Sequence, residues 1–264
     1  MSRIKQTFDH LATKGEKALI AYVMAGDPSL AEMEKVVLEI EKSGADMIEL
    51  GIPFSDPVAD GPTIQKAAQR ALENGATLSA ILERVALLRK QTKIPILLMT
   101  YLNPIYAMGI ELFFKECRAA QVDGVIIPDL PLEEAKSFLQ ESRRYRIDLI
   151  LLIAPTTPLD RMKKIVKSAS GFIYYVALTG ITGGDLSDMY KVTDRIAIIK
   201  SMTKVPVAVG FGISTAVAAR EVSRYADGVV VGSALVKIIE TASEGASYLP
   251  DLSRQVASLK EALR

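Results

Sequence analysis

The chain has 264 residues, of which 49% are hydrophobic, and its formal net charge is +1. This size predicts one domain over residues 1–264 with a substantial core, and the scattered Lys and Arg residues form no evident basic face for nucleic acid or an anionic membrane. The chain has one cysteine and no apolar run long enough to cross a bilayer, and its amino terminus has the pattern of an amphipathic helix and not of a signal peptide. These features together predict a cytoplasmic protein.

The rest of the chain alternates between two kinds of predicted element. Residues 1–10 have the amphipathic period of a helix. Apolar, β-branched runs then predict eight strands, at residues 18–24, 46–50, 94–100, 124–128, 148–153, 172–177, 205–209 and 227–231. The segments between the strands have helical period. Ser29 and Glu32 form a capping box there, and Pro131 and Pro158 stand at expected helix starts.

Most of the predicted strands are apolar on both faces, which is typical of a parallel sheet covered by helices. Eight such strands close a (β/α)₈ barrel, whose usual size is about 250 residues. The sequence therefore predicts an α/β fold, a single (β/α)₈ TIM barrel with an additional N-terminal helix. An open doubly wound sheet is the alternative.

The spacing between strand starts indicates where the active end of the barrel carries extra chain. Five of the seven gaps run from 22 to 30 residues, whereas the gap after strand 2 is 48 and the gap after strand 6 is 33. Barrel enzymes build their sites from the loops that follow the strands, all at one end. The loops at residues 51–62 and 179–189 are therefore expected to meet over the mouth of the barrel.

The segment 49–65 is the most informative part of the chain, because it places acids on a loop stiffened by prolines. Glu49 stands at the end of strand 2, and Asp60 follows eleven residues later, just before a predicted helix at Pro62. Two carboxylates on one loop suggest proton transfer. Alternation pairs Glu49 with Met47 on one face, and burial inside the barrel would raise the pKa of Glu49. The alternatives are an interior ion pair of Glu49 with a lysine and a helix-supporting role for Asp60.

A phosphate site is predicted from glycine turns on three successive strands. Glycines at 210–214 follow strand 7, Gly232 and Ser233 follow strand 8, and Gly183 with Gly184 follows strand 6. Barrels often bind phosphate at these positions, where backbone N–H groups and a helix dipole favour an anion. Three ordinary turns are the alternative interpretation.

The other polar candidates have plainer interpretations. Asp56 is expected to stabilise its loop, Asp129 to start a helix or to face a partner, and His10 to lie on the surface of the first helix. The sequence contains no metal-ligand cluster, so no metal site is predicted. By default, three tyrosines are expected in a core: Tyr22, Tyr101 and Tyr174.

The segment 49–65 resembles the signature of the tryptophan synthase alpha chain family, whose members are (β/α)₈ barrels. The resemblance continues in family order over nearly the whole chain. It includes residues 25–28 (Ala-Gly-Asp-Pro), 101–104 (Tyr-Leu-Asn-Pro), 128–131 (Pro-Asp-Leu-Pro), 180–183 (Gly-Ile-Thr-Gly), 210–214 (Gly-Phe-Gly-Ile-Ser) and 232–237 (Gly-Ser-Ala-Leu-Val-Lys).

This resemblance implies retro-aldol cleavage of indole-3-glycerol phosphate to indole and glyceraldehyde 3-phosphate, without a cofactor in this chain. It implies that Glu49 is the acid/base group and that Asp60 accepts a hydrogen bond from the indole N–H. Thr182 would pair with Asp60 when the strand 6 loop closes. The resemblance places the phosphate at Gly183, Gly212, Gly232 and Ser233, and the indole and glycerol groups near Tyr22, Tyr101 and Tyr174.

The resemblance also implies a partner, the tryptophan synthase beta chain, which carries pyridoxal phosphate and receives indole through a tunnel in an alpha2-beta2 complex. Loops at 53–60, 103–108 and 179–189 would face it, with an exposed apolar patch at Pro53, Phe54, Pro57 and Ile105. Two alternatives remain: a free-standing indole-3-glycerol phosphate lyase and a non-catalytic subunit that activates a beta chain. Ala177 and the segment after Gly184 depart from the usual family pattern, which bears on loop closure more than on chemistry.

Overall fold

The computed structural model describes residues 2–177, 186–210, 212–241 and 247–264. Within them, eight parallel strands form a closed barrel in chain order, and β1 pairs with β8, with Ala18 opposite Gly228. This pairing closes the ring, so the (β/α)₈ barrel is confirmed over an open sheet. The strands are β1 Ala18–Met24, β2 Met47–Gly51, β3 Ile96–Met99, β4 Gly124–Ile126, β5 Asp148–Ile153, β6 Ile173–Val176, β7 Val207–Gly210 and β8 Gly228–Val231.

Helices surround this barrel and bury the outer faces of its strands. In the described ranges they are α1 Arg3–Lys14, α2 Leu30–Lys42, α3 Pro62–Glu73, α4 Leu78–Leu88, α5 Leu102–Met108, α6 Ile110–Ala119, α7 Lys136–Tyr145, α8 Leu159–Ser168, α9 Leu186–Met202, α10 Ala216–Ser223, α11 Ser233–Glu240 and α12 Leu249–Glu261. Ser29 caps α2 by accepting from the Glu32 N–H at 3.2 Å, and Pro158 precedes α8, as predicted. Pro131 instead precedes a short 3₁₀ turn, Leu132–Glu134.

The N-terminal helix α1 covers one end of the barrel. It buries Ile4, Phe8 and Leu11. The Phe8 ring lies 5.9 Å from that of Phe172, just before β6, and Ile4 packs against Gly124, the first residue of β4. Both contacts are at the amino ends of strands. The opposite end, where the strands finish, is therefore the end available for a site.

Three strands, β2, β4 and β8, are immediately preceded by an aspartate that hydrogen-bonds to the backbone of the strand before it and so fixes the register of the two strands. The hydrogen bonds run from the Leu19 N–H to Asp46 at 2.7 Å, from Ile96 to Asp123 at 2.9 Å and from Val207 to Asp227 at 2.9 Å. Each aspartate also forms an ion pair with a cation from a surrounding helix or its end, namely Lys260, Arg89 and Lys200 respectively. These contacts lie at the α1 end of the barrel, away from the mouth.

The extra chain after strand 2 contains a whole helix. The connection from β2 to β3 holds the loop 52–61 and then two helices of 12 and 11 residues, α3 and α4. The connection from β3 to β4 holds the shorter α5 and α6, and that from β1 to β2 holds α2 alone. The helix predicted at Pro62 is therefore an addition to the usual unit. Of the predicted strand 6 loop at 179–189, residues 179–185 lie outside the described residues.

Candidate active site

Glu49 is the middle residue of β2 and points into the barrel, as the alternation with Met47 predicts. It lies opposite Tyr22 of β1 and Leu97 of β3, and it is completely buried. Neither carboxylate oxygen has a hydrogen-bond partner among the described residues, and none of those residues forms an ion pair with it. The predicted alternative of an interior ion pair is therefore not observed, since the buried Lys260 pairs with Glu16 and Asp46 instead.

The surroundings of Glu49 disfavour its charged form. Burial in the barrel, together with the smaller effect of the negative charge of Asp60, raises the pKa of Glu49 from 4.5 to about 8. A carboxyl group with a pKa near neutrality can both donate and accept a proton under physiological conditions.

Asp60 lies at the same end of the barrel in a different environment. The Tyr101 hydroxyl donates to Asp60 Oδ2 at 2.9 Å and accepts from the Ala59 N–H at 3.1 Å. Burial raises the pKa of Asp60, while the Tyr101 hydrogen bond opposes that shift. The N-cap of α3 is Gly61, and no side chain caps this helix. Asp60 is thus held by a tyrosine and does not cap α3 with its side chain, although its carboxylate lies beside the amino end of that helix, where a negative charge is favourable.

Both carboxylates line one cavity of about 220 Å³ at the carboxyl ends of the strands. Five further residues singled out from the sequence or from the resemblance line the same cavity: Tyr22, Tyr174, Gly212, Gly232 and Ser233. Tyr101 contributes through its hydrogen bond to Asp60. Thr182 and Gly183 lie outside the described residues.

The cavity is polar at one side because a helix begins there. Gly232 is the N-cap of α11, and no side chain caps this helix. Gly212 has a φ of 74°, a left-handed conformation that favours glycine. Free N–H groups in the first turn of α11 and the helix dipole favour an anion at this side of the cavity.

A larger groove of about 820 Å³ lies outside the barrel, between α4, α5 and α6. Its walls are mainly apolar, with Glu83 and Glu116 among them, and neither Glu49 nor Asp60 lines it. Chemistry rather than size distinguishes the small cavity, where two acids of shifted pKa, tyrosines and a helix terminus converge.

Comparison with known proteins agrees with this geometry. Residues 8–264 match the family model described as "Tryptophan synthase alpha chain". The tryptophan synthase alpha chain of Citrifermentans bemidjiense is 50% identical over 261 residues, covering 99% of this chain and 97% of the relative. The chain belongs to the tryptophan synthase alpha chain family.

Solved structures agree with the same assignment. Tryptophan synthase subunit alpha from Legionella pneumophila has a TM-score of 0.92 at 37% identity, covering 100% of this chain and 98% of that one. An aminoacrylate-bound tryptophan synthase from M. tuberculosis matches with a TM-score of 0.89 at 32% identity, covering 100% of both chains.

As a member of this family, the chain is a carbon–carbon lyase of tryptophan biosynthesis, and its family cleaves indole-3-glycerol phosphate. Alpha chains need no cofactor, since pyridoxal phosphate resides in the beta chain. In the part of this alpha chain that the structure describes, no three His, Cys, Asp or Glu side chains cluster as a metal site would require. No helix of that part is long and apolar enough to span a membrane.

The sequence interpretation missed the packing role of two glycines of this alpha chain, Gly51 and Gly210. A Cβ atom at Gly51 would overlap the Tyr22 hydroxyl, and a Cβ atom at Gly210 would overlap the Tyr174 hydroxyl. Both glycines end strands beside the cavity. Each glycine lets a phenol from the neighbouring strand lie directly against its backbone. Burial raises the pKa of both tyrosines. Only the three-dimensional pairing of strands shows this requirement.

The remaining acids of the mouth have structural roles. Asp129 accepts from the Leu102 N–H at 3.0 Å, so it caps α5, a helix that follows a different strand from its own. Asp56 is exposed and accepts from the Ser55 hydroxyl. His10 is exposed on α1, as predicted.

The predicted apolar patch at the mouth needs correction. Ile105 and Pro53 are buried, and Phe54 is half-buried against the Tyr101 ring, 5.4 Å away. The exposed apolar side chains of these loops are instead Val58, which is 82% exposed, and Tyr106, which is 53% exposed. Ile105 is buried because α5, a helix that the sequence interpretation did not resolve, turns it towards the core.

Proposed function

We propose that this alpha chain cleaves indole-3-glycerol phosphate with Glu49 as its acid/base group. The observation that carries the proposal is the buried Glu49 carboxyl, which has a pKa of about 8 and no described hydrogen-bond partner, in the cavity that it shares with Asp60. Such a group has free lone pairs and a transferable proton at neutral pH.

The reaction requires one proton to enter and one to leave. Protonation of indole C3 lets the ring take the electron pair of the bond between C3 and the first glycerol carbon. As that bond breaks, the hydroxyl on the same carbon loses its proton and becomes the aldehyde of glyceraldehyde 3-phosphate. Glu49 first gives a proton to C3 and then assists removal of the hydroxyl proton, so the cycle leaves its charge unchanged.

Asp60 acts on the ring nitrogen in this proposal. Protonation at C3 places positive charge on the indole ring, and an ionised carboxylate that accepts from the ring N–H stabilises that charge. The Tyr101 hydrogen bond favours the ionised form of Asp60, whereas Glu49 has no such donor among the residues that the structure describes. The two acids therefore have the different environments that their different roles need. Pairing of Thr182 with Asp60 stays a prediction.

For the phosphate, we propose binding by Gly212, Gly232 and Ser233. The support is the uncapped start of α11 at the cavity and the left-handed backbone of Gly212. Gly183 is expected to complete this site. Tyr22 and Tyr174 then form walls for the glycerol and indole groups.

The acid/base role is tested by Glu49→Gln, which keeps the side-chain shape and removes proton transfer. We expect near-complete loss of indole formation from indole-3-glycerol phosphate, with the affinity for glycerol 3-phosphate retained. Glu83→Gln, an exposed glutamate on α4, is the matched control. An active glutamine variant at position 49 would assign the proton transfer to another residue.

We also propose a tryptophan synthase beta chain as the partner, in an alpha2-beta2 complex through which indole is channelled. The matched M. tuberculosis protein is a tryptophan synthase in an aminoacrylate-bound form. The exposed Val58 lies on the loop that carries Asp60, beside the mouth of the cavity, where a partner would receive indole. The exposed Tyr106 lies on α5, which begins directly after Tyr101. Indole release by this chain, measured with and without a beta chain, distinguishes the complex from a free-standing lyase and from a non-catalytic subunit.

A further inference from the structure

Two helices of the barrel begin at the cavity and lie side by side. Helix α3 starts at Pro62, two residues after Asp60, and its Ile64 lines the cavity. Helix α11 starts at Ser233, beside the proposed phosphate position. The carboxylate that would meet the indole ring and the backbone that would meet the phosphate are thus carried by the starts of two neighbouring helices.

One arginine joins these helices at their far ends. Arg70 of α3 donates from Nε and Nη2 to the two oxygens of Asp27, at 2.9 and 2.8 Å, and from Nη1 to Glu240 of α11 at 3.1 Å. Its side chain is 20% exposed, and that of Asp27 is 2% exposed. A bidentate pair with so little exposure is strong and geometrically specific. The Asp27 carboxylate raises the pKa of Arg70 further, so the guanidinium stays charged.

The strand that carries Tyr22 is part of the same arrangement. Asp27 follows β1, and the turn that contains it packs directly on α3. A Cβ atom at Gly26 would lie 2.6 Å from Cβ of Ala76, just beyond the end of α3. The Asn74 side chain also donates to the Pro28 carbonyl at 2.7 Å. Arg70 lies on α3, and its guanidinium therefore contacts both the turn that follows β1 and helix α11. Strand β1 and helices α3 and α11 each supply part of the cavity wall.

We propose that Arg70 is a positioning residue, which fixes the distance between Asp60 and the phosphate-binding start of α11. This inference rests on the proposed function. Arg70 is eight residues beyond Pro62, or about 12 Å along the helix, so it acts without touching the substrate. A helix moves as a rigid rod, and a shift of one helix along the other therefore separates the two contacts that one substrate must make. A misplacement of about 1 Å can cost roughly 100-fold in rate.

The test compares a ligand that uses one contact with a ligand that uses both. Glycerol 3-phosphate reaches only the phosphate position, whereas a non-cleavable analogue with a propyl chain between indole and phosphate spans both positions. Their Kd values are measured by calorimetry for the full chain, for Arg70→Lys and for Arg70→Met. The lysine keeps the charge but cannot form the bidentate pair, and it serves if the methionine variant does not fold.

We expect the Kd of glycerol 3-phosphate to change less than about twofold, because α11 itself is intact. The Kd of the spanning analogue should rise roughly 10- to 100-fold in Arg70→Met, with a parallel fall in kcat, and less in Arg70→Lys. Arg89→Met removes a buried arginine at the α1 end of the barrel and should alter neither Kd in the folded protein.

Unchanged affinity of both Arg70 variants for the spanning analogue would overturn the inference. Equal loss of affinity for both ligands would also overturn it, because Arg70 would then build the phosphate site itself. These binding measurements do not depend on the acid/base role of Glu49. Failure of that role would therefore appear only in the Glu49→Gln assay. If glycerol 3-phosphate does not bind the unmodified chain, the phosphate site is wrong and this inference with it.

Discussion

At the scale of the residue, the site depends on a contrast between two acids of the same cavity. Glu49 is buried without a described hydrogen-bond donor, while Asp60 accepts from the Tyr101 hydroxyl. The difference comes from residues distant in sequence, since Tyr101 follows β3 and Asp60 follows β2. Each acid is therefore tuned by the folded barrel and not by its own segment.

The raised pKa of Glu49 predicts a pH-dependent cost in stability. In the unfolded chain its pKa is near 4.5, and in the folded chain it is about 8. The folded state therefore binds more protons between these values, and its stability falls as the pH rises from 4.5 to 8. Glu49→Gln removes the titrating carboxyl group and with it this dependence of stability on pH. The variant should gain about 2–4 kcal/mol relative to the parent between pH 5 and pH 8.

Urea unfolding of parent and variant at both pH values measures this difference. Glu83→Gln should show no such change, because Glu83 is exposed. A parent–variant difference that is independent of pH would mean that Glu49 is charged in the folded protein.

A second residue prediction concerns Gly212. Valine at this left-handed position forces the backbone away from its φ of 74° and crowds the phosphate. Loss of one charge-assisted hydrogen bond should raise the Kd of glycerol 3-phosphate roughly tenfold or more. Gly15→Val is the matched control, since Gly15 has a φ of 73° at the end of α1, at the opposite end of the barrel. Both variants should lose stability, and equal Kd values in the two would contradict the phosphate assignment.

At the scale of the element, the two ends of each strand have separate tasks. The amino ends hold the aspartates that join neighbouring strands, and the carboxyl ends hold the cavity. Substitutions at one end should therefore affect stability, and those at the other should affect chemistry.

Asp123 tests this separation. It is buried, accepts from the Ile96 N–H and pairs with Arg89 and Arg3. Asp123→Ala leaves these charges without their partner and should cost about 3–5 kcal/mol of stability. The kcat of the folded variant should stay near that of the parent. Asp9→Ala removes an exposed pair with Lys5 and should cost less than about 1 kcal/mol. A kcat that falls with stability in Asp123→Ala would show that the two ends are coupled.

The sequence predicted the elements better than it predicted their contacts. All eight strands were placed to within a few residues, because apolar runs and glycine turns are local signals. The separate helix α5 was missed, and the cap on it comes from Asp129, which is distant in sequence. The glycines beneath Tyr22 and Tyr174 and the ion pairs of Arg70 depend likewise on how strands and helices meet. Periodicity contains no information about such contacts.

At the scale of the whole molecule, the exposed apolar side chains at the mouth are where a partner would bind. Val58 lies on the loop that carries Asp60, so a beta chain that covers Val58 could also restrain the site.

Val58→Asp places a charge on the proposed interface and should raise the Kd for a beta chain roughly tenfold or more. Leu87→Asp is the control, because Leu87 is 42% exposed near the carboxyl end of α4, which leads to the amino end of β3 and not to the cavity. Calorimetric titration of each variant with a beta chain measures the effect. Equal affinities for the two variants would place the interface elsewhere on the molecule.

Closure of the ring by β1 and β8 has a consequence for synthesis of the protein on the ribosome. Glu49 and Asp60 emerge early, but Gly232 and Ser233 emerge only after the last strand. A nascent chain that stops at β6 contains both acids and yet has two unpaired sheet edges, at β1 and β6. Such a chain has no enclosed cavity. Every catalytically competent molecule must therefore wait for its final strand to leave the exit tunnel and join its first.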